Sequence, residues 1–76
     1  MTLQQSHRIA DSVESLREAK ASAEETKMEL NSQYNAMPYS EQVTPYGNNL
    51  LVESGQLEDA IGYIDRAIEI LSPYYN

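Results

Sequence analysis

His7 is the only histidine in a chain of 76 residues, and there is no cysteine. A metal site needs several such donors at ligand spacing, and none stands near His7. Nucleophilic catalysis needs a nucleophile, a base and a group that orients the base. His7 sits at the start of the chain, where helices fray, and reads as a solvated residue. The carboxylate pairs Glu24-Glu25 and Glu58-Asp59 are adjacent in sequence. On a helix adjacent residues diverge, so neither pair suits shared acid–base work. The three glycines are isolated, so no phosphate-cradling loop is present. Of the six tyrosines, Tyr34, Tyr39, Tyr46, Tyr74 and Tyr75 fall near helix ends or in a loop. Such tyrosines are expected to seal the ends of a hairpin while their hydroxyls stay wet. The expectation is a protein that is not an enzyme and carries no cofactor and no metal.

The formal charge is −7, from twelve acids against five bases. Nucleic-acid binding needs a basic surface, so neither DNA nor RNA is an expected partner. Anionic membranes are disfavoured for the same reason. No apolar run approaches the ~20 residues of a membrane span, and Met1 to Ala10 lacks the basic start and apolar stretch of a secretory signal. A cytoplasmic location is therefore expected. A single domain over residues 1–76 without disulfides has a marginal core, and small domains of this kind often complete it with a partner.

The elements follow from punctuation and periodicity. No Gly or Pro interrupts Met1 to Ala36. A first helix is predicted over about 3–35, capped by Thr2 or Ser6 and ended ahead of Pro38. Its apolar positions are Ile9, Val13, Leu16, Ala19, Ala23, Leu30, Tyr34 and Met37, with small residues at Ala19, Ala23 and Thr26 where a neighbouring helix can approach. Asp11, Glu14, Glu18, Glu25 and Glu29 share another side and read as a solvated acidic face. A loop over 37–44 carries Pro38, Tyr39 and Ser40. Thr44-Pro45 then starts a second helix, a capping hydroxyl followed by proline at the first helical position, predicted over about 45–71 and ended by Ser72-Pro73. Gly55 marks the position where a break into two shorter helices would fall as the alternative. The fold class is all-α, an antiparallel two-helix hairpin of coiled-coil character.

Leu50, Leu57, Ile61, Ile64, Ile68 and Leu71 are spaced 7, 4, 3, 4 and 3, a coiled-coil rhythm. Together with Ile9, Val13, Leu16 and Leu30 they form the expected hairpin seam. Val52, Tyr63 and Ile70 share a second phase, and Ala60 and Ala67 fill the arc between. The apolar arc is wider than one neighbouring helix covers. Val52, Tyr63, Ala67 and Ile70 are therefore the expected partner interface, and the isolated chain is expected to form homo-oligomers. Gly55, Leu57, Ala60, Ile64 and Ala67 also match the second helix of a tetratricopeptide repeat. Thr44 and Asn48 do not fit its first helix, so the match reads as generic amphipathic helix.

The stretch Leu57-Glu58-Asp59-Ala60-Ile61-Gly62-Tyr63-Ile64, with Leu71 after it and Tyr46, Leu50, Leu51 and Glu53 before it, resembles the C-terminal helix of the small needle co-chaperones of bacterial type III secretion systems. The resemblance covers about residues 40–75 in detail. It implies a two-helix hairpin that pairs with a tetratricopeptide-type chaperone, the two together keeping the needle subunit soluble and monomeric in the cytoplasm. The chain departs from the usual pattern at Gly55, Gly62 and Pro73, positions that bear on whether the second helix runs straight. Two other readings stand beside it. A needle or filament subunit is also a short hairpin, but its loop usually carries closely spaced prolines, and Pro38 and Pro45 are seven apart. An acidic inhibitor that mimics nucleic acid needs concentrated charge, which Ser12, Ser15 and Ser22 dilute.

Overall fold

A computed structural model describes residues 1–75. Helix α1 runs Leu3–Asn35, a short helical turn α2 covers Tyr39–Gln42, and α3 runs Pro45–Leu71, followed by a 3-10 turn at Ser72–Tyr74. α1 and α3 pack against each other as one long antiparallel hairpin, 58 × 14 × 13 Å. There is no strand among the described residues. No described helix is long and apolar enough to cross a membrane.

The helix ends follow local chemistry. The Thr2 hydroxyl accepts from the Gln5 amide, and the Gln5 side chain accepts from the Thr2 amide, so two orphan donors are satisfied reciprocally. Thr2 is thus the cap, and Ser6 lies inside the helix. Thr44 caps α3, accepting from the Gly47 amide with Pro45 behind it. The segment expected as a plain loop, 37–44, instead holds the single turn α2, whose Gln42 side chain donates to the Tyr34 carbonyl at 3.0 Å. That bond ties the connection to the end of α1. α3 is unbroken at Gly55. A glycine weakens a helix without ending it when flanking residues keep the hydrogen-bonded ladder.

Both helices bury a strict alternation of three and four residues. On α1 the seam is Ile9, Val13, Leu16, Lys20, Ala23, Lys27, Leu30, Tyr34 and Met37. On α3 it is Gly47, Leu50, Ser54, Leu57, Ile61, Ile64, Ile68 and Leu71, with Tyr75 beyond the 3-10 turn continuing it. All are buried or half-buried, so every residue expected in the seam lies in it. The expectation for the middle of α1 needs correction. Ala19 and Thr26 are exposed, and the stems of Lys20 and Lys27 cover the seam instead. Among the described residues the buried apolar side chains are Val13, with no exposed surface, and Leu50, nearly so.

Candidate functional site

The polar residues of the seam set its register. The Ser54 hydroxyl donates to the Asn31 side-chain oxygen at 2.7 Å. Lys27 lies 3.7 Å from Glu58, and Lys20 lies 2.7 Å from Asp65. Steps of four and seven residues down α1, from Asn31 to Lys27 to Lys20, are matched by the same steps up α3. One antiparallel alignment therefore satisfies all three pairs, and a slip of one heptad would separate each of them. At the open end Arg17 donates to the Tyr75 hydroxyl at 3.0 Å, which fixes the 3-10 turn against α1.

The hydrogen bond from Lys20 to Asp65 raises the Lys20 pKa above its ordinary 10.5, with partial desolvation opposing it. Folding therefore favours the protonated lysine. That contribution is complete below pH 10.5 and fades as pH rises through the raised value. The Tyr75 phenol is pulled below its ordinary value by the Ser72 hydroxyl and by Arg17. Its contribution has the opposite sign: it appears as pH climbs towards 10.0 and is absent at neutrality. Melting temperatures followed by circular dichroism should thus fall more steeply with alkaline pH in the unaltered chain than in Lys20→Met. Tyr75 is common to both chains and cancels in the comparison. Parallel curves would mean that Lys20 gains nothing from Asp65 in the fold.

The residues expected to meet a partner divide. Val52, Tyr63 and Ile70 are 48%, 76% and 52% exposed. They lie on the side of α3 opposite the seam, in steps of eleven and seven that keep them in phase. Ala67 is half-buried and borders this face. Asp59, Arg66 and Gln56 stand between the apolar residues and are exposed. Arg66 pairs only along its own helix, with Glu69 at 3.1 Å.

Sequence reasoning missed a second exposed apolar group. Tyr39, Val43 and Tyr46 are 78%, 63% and 62% exposed at the hairpin tip. Tyr34 and Tyr75 do seal the hairpin, but Tyr39, Tyr46 and Tyr74 do not. Tyr39 opens the short helix α2, which periodicity does not reveal. The acidic face of α1 is as expected: Asp11, Glu14, Glu18, Glu25 and Glu29 are all exposed, and none forms an ion pair among the described residues. A shallow open groove on the second half of α1 is lined by Glu25, Met28 and Glu29 among others. No group of His, Asp and Glu side chains arranged to hold a metal occurs among the described residues. Comparison with protein-family models, with curated proteins and with solved structures finds no match to this chain.

Proposed function

We propose that this chain is a non-catalytic adaptor that binds another helical protein through the outer face of α3. The observation that carries the reading is the coexistence of two apolar phases on one helix. The inner one builds the hairpin, and the outer one, Val52, Tyr63 and Ile70, stays in water. Among the described residues the hairpin buries Val13 and Leu50 as its apolar core, so it gains much by sharing its remaining apolar surface. The partner implied by the resemblance to needle co-chaperones is a tetratricopeptide-type chaperone. Its concave stack of helix pairs suits one long helix laid across it. In that role the hairpin works in the cytoplasm, and the larger chaperone holds the needle subunit as a soluble monomer.

The test is capture of partners from the native host, with the captured proteins identified by mass. Tyr63→Asp and Ile70→Asp should leave helicity intact, because neither side chain is needed by the hairpin. Each should weaken capture by about 30-fold or more, the loss of a central anchor worth about 2 kcal/mol. Undiminished capture by both variants would make this face ordinary surface and remove the reading.

A further inference from the structure

α3 contains two glycines that the hairpin does not use. A Cβ at Gly47 would meet the Gln42 carbonyl oxygen at 2.5 Å, so that glycine is required by the fold. A Cβ at Gly55 or Gly62 would meet nothing within 4 Å. Both are exposed, and both weaken the helix interior relative to alanine. They flank the Val52, Tyr63 and Ile70 stripe on one side, and Ala60 and Ala67 flank it on the other. A stripe of bulky residues bordered by small ones is the shape a second helix enters closely.

The stripe is also complementary to itself. Val52, Gln56, Asp59, Tyr63, Arg66 and Ile70 alternate by four and three. Turned antiparallel about a two-fold axis beside Ile61, Val52 of one copy faces Ile70 of the other, Gln56 faces Arg66, and Asp59 faces Tyr63. The same operation keeps each flank on its own side, so Gly62 lies beside Gly62 of the other copy and Ala60 beside Ala60, and small residues meet near the axis. Each Tyr63 hydroxyl has a carboxylate to donate to. Arg66, the one base on α3, falls beside Asp59 of the other copy. A closed two-fold contact requires such a self-matching patch, since each residue meets its counterpart twice.

The exposed area fits the same occupant. A compact monomer of 8.6 kDa exposes about 4,700 Å². This hairpin exposes 5512 Å². The excess of about 800 Å² reflects the rod shape, 58 × 14 × 13 Å, which leaves a long flank of α3 on which a second helix can lie. We infer that the outer face of α3 is covered by the α3 of a second copy, antiparallel and close-packed at Gly62, whenever no other protein occupies it. The inference rests on the reading of this face as a binding face. It adds that the free form is a dimer that must open for a partner to dock.

Sedimentation equilibrium of the full chain over the micromolar range should give a monomer–dimer equilibrium. The absence of cysteine makes the alignment directly testable. Val52→Cys and Ile70→Cys chains, mixed and oxidised, should give the unlike disulfide in excess of both like ones. Predominant like products, or a statistical mixture, would overturn the antiparallel arrangement. Gly62→Leu separates close packing from fold stability. It should raise the melting temperature of the monomer and at the same time weaken dimerisation at least tenfold; unchanged dimerisation overturns the close approach. A chain that stays monomeric at every concentration overturns the dimer, even if a partner still captures it through Tyr63. A chain that dimerises in this alignment but captures no partner supports the dimer and overturns the adaptor reading alone.

Discussion

Val13→Asp is expected to abolish the fold. Among the described residues Val13 is the side chain with no exposed surface, set where α1 meets the end of α3. A carboxylate there lies beyond the reach of water and has no cation placed to meet it, since Arg17 is committed to Tyr75. An unpaired buried charge costs several kcal/mol, and the lost valine contact adds to that cost. A chain of this length has about 4–11 kcal/mol of stability in all, and a core this thin places it low in that range. Circular dichroism at neutral pH should show a mostly unfolded chain. Ile64→Asp should act in the same direction with a smaller effect, because Ile64 is half-buried and a carboxylate there can lean towards water. Tyr63→Asp is the matched control one residue away and should keep full helicity. A helical, cooperatively melting Val13→Asp chain would show that the hairpin does not depend on its tightest contact.

The contrast between adjacent residues explains how much of this molecule was legible in its sequence. Helix bounds, capping at Thr2 and Thr44 and the antiparallel pairing all follow from local signals: proline geometry, hydroxyl caps and a long clean stretch. The seam was legible wherever it is apolar. It was misread at Lys20 and Lys27 and not read at Ser54, because hydrophobic periodicity is silent where the seam is polar. The signal was nonetheless present. The alternation of three and four set by Ile9, Val13 and Leu16 at one end and Leu30, Tyr34 and Met37 at the other passes through Lys20, Ala23 and Lys27. Their partners, Asp65 and Glu58, sit at matching steps on α3. The turn at Tyr39–Gln42 was not legible, because four residues carry too little periodicity to be read as a helix. The exposed phase at Val52, Tyr63 and Ile70 was legible, but what covers it depends on a second molecule.

The three glycines of α3 should respond to alanine with opposite signs, although all lie inside one helix. At Gly47 the added methyl meets the Gln42 carbonyl oxygen at 2.5 Å and the Glu41 carbonyl oxygen at 2.7 Å. Both are backbone atoms at the end of α2, so no side chain can swing aside. The turn must move off the start of α3, loosening the Thr44 cap and the Gln42 bond to Tyr34. Gly47→Ala should cost about 2–3 kcal/mol, the usual scale of overpacking at a site that cannot relax. At Gly55 and Gly62 the methyl enters open space, and helix propensity alone decides. Each substitution should stabilise the monomer by about 1 kcal/mol and raise its melting temperature by roughly 4–8 °C. The melts are to be run at the lowest workable concentration, where the chain is a monomer. At higher concentration the gain should shrink, because the methyl that strengthens the helix also holds the second copy away. A Gly62→Ala chain that melts higher by the same margin at every concentration would mean that no helix approaches that face. A Gly47→Ala chain as stable as the parent would mean that α2 is free to move away from α3.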